Sequence, residues 1–270
     1  MNDFNTDALV IRTLPSGDSD RLITLLTAGR GRINVMAKGA RSLKSRYMPA
    51  CAPFVYGNYE IRAKTAAEKG GGELCWLKEA QVSETFREIG RDIVKTYLAQ
   101  YFCDVVYELT GPGAEATELL RLTLNSLHAV SRGLKPDLLI KAVFELRAAA
   151  AGGYEPDVSG CGLCGAECGD GAVLDVMNGR LICHRCMGKN GSADASDVDS
   201  FGTRILRVPL SAPALAAVRY ALTAPEQRML AFELRDPSDT AQFSRAAEIY
   251  LLSHLERGFS SLKCYHELRQ

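Results

Sequence analysis

The sequence predicts an α+β protein, with a small closed β-barrel in residues 1–82 and an α-helical body in residues 83–270. Three observations carry this. Short β-prone runs separated by glycine-rich turns fill the first 82 residues, helical periodicity begins near Thr85, and two pairs of cysteines interrupt the helical part.

The expected strands are Ala8–Ile11, Leu22–Leu26, Arg32–Lys38, Val55–Ile61 and Leu74–Leu77. Turn chemistry separates them at Pro15-Ser16-Gly17-Asp18, Gly29-Arg30-Gly31 and Gly70-Gly71-Gly72. Five short strands in about 80 residues suit a closed oligonucleotide-binding (OB) barrel better than an open sheet. The third strand alternates, with Ile33, Val35 and Ala37 on the core side and Arg32, Asn34, Met36 and Lys38 on the other.

From Thr85 the periodicity predicts one long helix ending near Thr110, at Gly111-Pro112-Gly113. A second runs through Leu119–Leu127 and closes near Gly133, and a third opens at Pro136-Asp137 and runs to Gly152-Gly153. Two more are expected at about 212–223 and 239–257, after a polar link at Asn190–Ser196.

The cysteine segment, about 158–189, has the pattern C-x2-C-x18-C-x2-C at Cys161, Cys164, Cys183 and Cys186. Each C-x-x-C turn aims two thiolates at one point, and the spacing is that of a four-sulfur zinc site. Gly162 and Gly165 free the first turn, and Val173–Val176 and Arg180–Ile182 read as short strands between the knuckles. A closed site of four sulfurs has no position left for substrate, so one structural zinc ion is expected, stapling a connection too small to hold itself. Cys168 lies near enough to compete with Cys164, whereas Cys51, Cys75, Cys103 and Cys264 read as packing residues. An odd total of nine cysteines fits a reducing compartment better than a disulfide framework. Met1–Asn5 does not read as a signal peptide, and no run approaches the ~18 apolar residues of a membrane span. A cytoplasmic, nucleoid-associated protein with no membrane partner is the expectation.

The net charge of zero hides an asymmetry. Residues 1–82 hold 12 Lys and Arg against 8 Asp and Glu, and Arg21 to Tyr59 contains seven basic residues and no acidic one. That is the footprint of a polyanion-binding module. Its densest part is Lys38-Gly39-Ala40-Arg41-Ser42-Leu43-Lys44-Ser45-Arg46-Tyr47, with Arg30 and Arg32 expected in the same neighbourhood. The DNA-binding set is therefore Arg30, Arg32, Lys38, Arg41, Lys44 and Arg46, against the plainer reading of a solvated loop. Tyr47, Tyr56 and Tyr59 are candidates for base stacking or for barrel packing.

These residues also carry a resemblance. Asp18-Ser19-Asp20-Arg21-Leu22, Gly31-Arg32-Ile33 and Lys38-Gly39-Ala40-Arg41 look like the opening barrel of the RecO family of bacterial recombination mediators. The helices interrupted by Cys161, Cys164, Cys183 and Cys186 look like its zinc-containing helical domain. The resemblance implies an OB-fold, a helical zinc domain, and binding of single- and double-stranded DNA. It also implies strand annealing, partnership with RecR, contact with the C-terminal tail of single-stranded DNA-binding protein, and loading of RecA onto gapped DNA. The tail Leu262–Leu268 is less basic than that family suggests. Arg121, Arg132, Lys135, Arg204 and Arg207 are possible cations for an acidic partner peptide, and the sequence does not rank them.

Enzyme classes find no support. Neither C-x-x-C follows a proline and His128-Ala129-Val130 breaks the H-x-E element, against a zinc deaminase. No G-x-x-x-x-G-K-[ST] loop is present, against ATP hydrolysis. His184 reads as a neighbour of the metal and the other histidines are scattered. The alternatives that keep the cysteines are a zinc-stabilised DNA-binding regulator and a redox-switched chaperone. The first would place its charge on a recognition helix and not on the β-rich half.

Overall fold

Strand β1, Asn2–Ser16, is much longer than its apolar core Ala8–Ile11 because two different neighbours share it. Its first half, Asn2–Leu9, pairs antiparallel with β4 (Tyr56–Ala63), and Ala8–Ser16 pairs with β2 (Asp20–Thr27). A bulge between Val10 and Arg12 lets the strand bend from one partner to the other. β2 pairs with β3 (Gly31–Ala37), β3 pairs parallel with β5 (Leu74–Glu84), and β5 returns to β4, which closes a five-stranded barrel. The computed structural model describes residues 2–63, 74–188 and 206–269. The expected turn at Gly70–Gly72, the link Asn190–Ser196 and Arg204 lie outside the described residues.

Alternation fills the barrel as the sequence predicts. Val10, Ile23, Leu25, Ile33, Val35, Ala37, Ile61 and Leu77 share one buried cluster, and Tyr59 is buried in it with its hydroxyl donating to the Ala50 carbonyl at 2.9 Å. Tyr59 thereby leaves the set of stacking candidates, and burial, with the Cys51 thiol beside it, raises the pKa of its hydroxyl.

Gly31 is the tightest point. Its φ of +58° is left-handed, and a Cβ there would sit 2.1 Å from the Gly111 carbonyl oxygen. Gly31→Ala is expected to cost about 2 kcal/mol or more, since a strained φ and a backbone clash must both be relieved. A thermal melt with unchanged midpoint would contradict this.

The long helix expected from Thr85 breaks. The Glu84 carboxylate accepts the amides of Thr85 and Phe86, Phe86 takes φ +45°, and a 3-10 turn spans Ile89–Arg91. Asp92 then caps α1, Ile93–Leu109, by accepting from the amides of Val94 and Lys95. α2 is Thr117–Arg132 and α3 is Asp137–Ala151, both near their expected bounds. α1 packs on β1 and α2 on β2, which buries the outward-facing Leu9 and Leu26 of the barrel.

Between α3 and the next long helix the chain builds a small sheet. β6 (Asp157–Cys161), β7 (Ala172–Asp175), β8 (Arg180–Ile182) and β9 (Arg207–Leu210) assemble in the order β6-β8-β7-β9, with the short helix α4 (His184–Met187) after β8. β6 and β9 escape sequence reasoning because Asp157-Val-Ser-Gly-Cys161 has one β-branched apolar residue beside a serine and a glycine, and Arg207–Leu210 carries a proline. Helix α5, Ala212–Thr223, matches expectation, and α6 spans Pro237–Leu255 behind an Asp236 cap. A further helix, α7 (Ser260–Arg269), was not expected and packs against α1.

The chain forms two compact units, residues 1–132 with 259–270, and residues 133–258. In the second, α3 packs against α6 and α5. Among the described residues, no helix is long and apolar enough to cross a membrane.

Candidate metal centre and cationic barrel rim

The cysteine ligands are brought together by the small sheet. β6 ends at Cys161, and the Gly165 amide closes a turn onto the Cys161 carbonyl at 2.8 Å, with Gly165 at φ +70° where a side chain would strain. Cys183 opens α4, so the amides of Cys186 and Met187 both reach its carbonyl at 3.0 Å. The result places the four sulfurs of Cys161, Cys164, Cys183 and Cys186 within 4.8 Å of one another, a group able to hold a metal ion. Cys164 and Cys183 are 3.8 Å apart, beyond the ~2.05 Å of a disulfide bond. Cys168 is buried with its thiol towards the Ala166 carbonyl, outside the converging four.

Two of these sulfurs, Cys161 and Cys164, are prepared for the anionic state, whereas the hydrogen bond with Cys164 and burial push Cys186 up to about 12. Burial pushes the Cys161 pKa up, but amide donors from Cys183, Leu163 and Cys164 outweigh it and bring the thiol down to about 6. The amide of Ala166 and the Arg185 guanidinium lower Cys164, and Arg185 Nη2 lies 3.7 Å from its sulfur. Arg185, inside the second knuckle, is the functional neighbour that sequence reasoning passed over in favour of exposed His184. Elsewhere burial, partly offset by Arg21, lifts Cys51 to about 11, and burial, together with nearby Asp104, raises Cys103, as packing residues should be.

The cations of the barrel fall into two groups. Lys38, Arg41, Lys44 and Arg46 are exposed on the loop after β3. That loop is held by Gly39 N–H on the Asp20 carboxylate at 2.7 Å, Arg41 N–H on the Ser19 carbonyl at 2.9 Å and Arg41 Nη1 on the Gly17 carbonyl at 2.8 Å. Arg46 bonds the Tyr47 hydroxyl and lies 3.8 Å from Glu79, both partners largely solvated. Arg30 and Arg32 stand at the opposite end of β3, roughly 20–25 Å away at a rise of ~3.3 Å per residue. The expectation of one shared neighbourhood is therefore corrected. The residues are close in sequence, but an extended strand separates them.

Arg30 is exposed and stacks on Phe4 at 4.2 Å, whereas Arg32 is half-buried over Tyr107 at 3.8 Å. Arg12 covers the same ring at 3.7 Å, a second cation that the sequence alone did not single out. Among the described residues Arg30, Lys38, Arg41 and Lys44 make no salt bridge, in contrast to Lys78, which is tied to Asp3 at 2.8 Å and to Glu60. Unpaired surface cations keep their charge available to an outside anion. Tyr47 is half-buried with its hydroxyl donating to the Lys78 carbonyl at 2.7 Å, and Tyr56 is half-buried.

Two family models match the chain, Recombination protein O N terminal over residues 1–86 and Recombination protein O C terminal over residues 90–263. Three proteins named DNA repair protein RecO are similar. That of Acetivibrio thermocellus is 26% identical over 262 residues, covering 97% of this chain and 96% of its own length. That of Anaeromyxobacter sp. strain K is 32% identical, covering 69% and 71%. That of Anaeromyxobacter dehalogenans strain 2CP-1 is 33% identical, covering 66% and 68%.

Proposed function

From the premise that this chain belongs to the recombination protein O family, whose N- and C-terminal models together span residues 1–86 and 90–263, we propose that it is a DNA repair and recombination mediator. It binds single- and double-stranded DNA without reading sequence, anneals complementary strands and, with RecR, helps load RecA onto gapped DNA coated with single-stranded DNA-binding protein, whose C-terminal tail it contacts. It works in the cytoplasm at the nucleoid. It makes and breaks no bond, and so is not an enzyme.

The division of labour follows residues 1–82 as the DNA-binding module and 83–270 as the helical part with the metal-bearing insertion at about 158–189. The observation that carries the reading is the set of exposed cations on the barrel, Lys38, Arg41, Lys44 and Arg46 at one end of β3 and Arg30 at the other, with half-buried Arg32 next to Arg30. Each neutralises a phosphate and releases condensed counterions, and two strands held at once have their mutual repulsion screened. Annealing needs nothing more.

Lys38→Glu with Arg41→Glu is expected to flatten the salt dependence of single-strand binding. Each lost phosphate contact removes roughly 0.7 from the log–log slope, so the pair removes about 1.4. Titration of a labelled oligonucleotide across salt concentrations measures this, and an unchanged slope removes the rim from the DNA interface.

Zinc is the ion proposed for Cys161, Cys164, Cys183 and Cys186. A tetrahedron with Zn–S bonds of ~2.3 Å has edges of about 3.8 Å, which is the separation of Cys164 and Cys183. Four thiolates around a divalent ion carry net negative charge, and Arg185 beside Cys164 offsets part of it.

A further inference from the structure

Leu43 is 89% exposed, more than any other large apolar side chain among the described residues. A single exposed leucine is ordinary, so exposure alone assigns nothing. Its setting does. Leu43 lies between Arg41 and Lys44 in the loop after β3, with Lys38 and Arg46 exposed on the same loop. That loop is braced along its length. The Gly39 amide bonds the Asp20 carboxylate at 2.7 Å, and the Arg41 amide bonds the Ser19 carbonyl at 2.9 Å. The Ser42 amide reaches back to the Gly39 carbonyl at 3.2 Å. The Ser45 amide donates to the Ser42 carbonyl at 2.9 Å, which puts Leu43 second in a β-turn. At the feet of the loop, Ala40, Ala50 and Cys51 are buried in the barrel core and Tyr47 packs against it. Leu43 is left at the crest.

Cations on both sides of the leucine restrict what it meets. They draw a polyanion, while the leucine itself gains only from an apolar interior. Duplex DNA offers the two together, with phosphates outside and an apolar slot one side chain deep between neighbouring base pairs. An anionic lipid surface also offers both. One leucine, however, buries far less apolar area than a myristoyl chain, and a single such chain already binds a bilayer only marginally. A single strand carries the phosphates but has no paired step to open. The duplex fits best.

We propose that Leu43 is a wedge that enters a base step of duplex DNA while Arg41 and Lys44 hold the phosphates to either side. Apolar wedges of this kind, leucine among them, unstack the step and bend the duplex. The proposal rests on the DNA-binding reading and adds a discrimination that phosphate contacts alone do not give. Phosphate contacts are indifferent to the stack, whereas a wedge favours the steps that open most easily. A duplex interrupted by a mismatch is therefore preferred over a perfect one.

The fluorescent base 2-aminopurine, placed inside a duplex, brightens when its stack is opened. The full-length protein is expected to raise that emission about twofold or more as a labelled duplex of the same sequence gains anisotropy. It should bind a duplex with one central mismatch about five- to tenfold tighter than the perfect duplex. Leu43→Ala should abolish the rise in emission and bind the two duplexes alike, with single-strand affinity changed less than about twofold. Leu43→Met should keep the rise. At 89% exposure Leu43 supports little packing, so both variants fold. Duplex binding without brightening, brightening that survives Leu43→Ala, or equal losses for single strand and duplex overturn the wedge and leave DNA binding by the rim intact. Brightening unchanged in Leu43→Ala, with loss of binding to phosphatidylserine vesicles, assigns the residue to a lipid surface and overturns it too. If neither single strand nor duplex raises anisotropy, the wedge and the DNA-binding reading fall together.

Discussion

Removing the metal is expected to unfold the segment 157–188. The cysteine turns lie at the β6 edge of its sheet, which is weakly paired. β6 meets β8 through only the pairs Asp157–Arg180 and Cys161–Leu181, and the module's own apolar cluster is Val173, Ile182 and Met187, with Cys186 against it. A four-thiolate zinc site contributes on the order of 10 kcal/mol at neutral pH. Cys161→Ser, which removes the ligand at the end of β6, is expected to release the ion and expose the module to protease, with cleavage between Asp157 and Gly188. Cys168→Ser, outside the converging four, is expected to keep one ion per chain. Metal analysis of the purified variants and limited proteolysis with and without a strong chelator measure both. A chelated protein that resists cleavage in this segment, or a Cys168→Ser protein that has lost its ion, would show that these four sulfurs are not the staple.

The cysteine site was legible because its information is local: two C-x-x-C turns at a permitted spacing need no tertiary knowledge. The barrel core was legible for a related reason, since alternation at Ile33, Val35 and Ala37 reports directly on which face is buried. What depended on long-range register was not. Asn2–Asp7 is polar and reads as loop, yet it is strand because β4 lies beside it with Ala63 through Asn58 in register. Register sets Leu14 opposite Leu22, Leu22 opposite Met36 and Met36 opposite Trp76 across four strands, an alignment that no window of sequence contains. Arg30 and Lys38 mislead in the opposite sense, being near in sequence and at opposite ends of β3. Helix α7 shows few apolar residues, but Leu262 and Tyr265 are buried and Phe259 meets Tyr101 edge-on at 5.5 Å between ring centroids. Its partner α1 lies more than 150 residues earlier in the chain, as the Ser261 to Asp104 hydrogen bond of 2.6 Å, across 157 positions, makes plain.

Lys141→Met is expected to destabilise the unit formed by residues 133–258 by about 3–5 kcal/mol, the usual result of breaking a buried ion pair from one side. Lys141 on α3 and Glu145 one turn later are both fully buried. The ammonium lies 3.0 Å from Glu145, 2.6 Å from Glu248 of α6 and 3.4 Å from the Ser244 hydroxyl. Methionine fills much the same space, so packing changes little and the loss is electrostatic. A carboxylate is left in the interior without its cation. At about 2–4 °C per kcal/mol, the midpoint for this unit should fall by roughly 6–20 °C. One further variant separates the charge effect from packing. Replacing Lys141, Glu145 and Glu248 together with Met, Leu and Leu leaves no stranded charge, and is expected to recover most of the loss. If the triple replacement melts as low as Lys141→Met alone, the ammonium is more than a counter-charge. It then fixes how α3 seats on α6, because only one register brings Glu145, Ser244 and Glu248 around a single nitrogen.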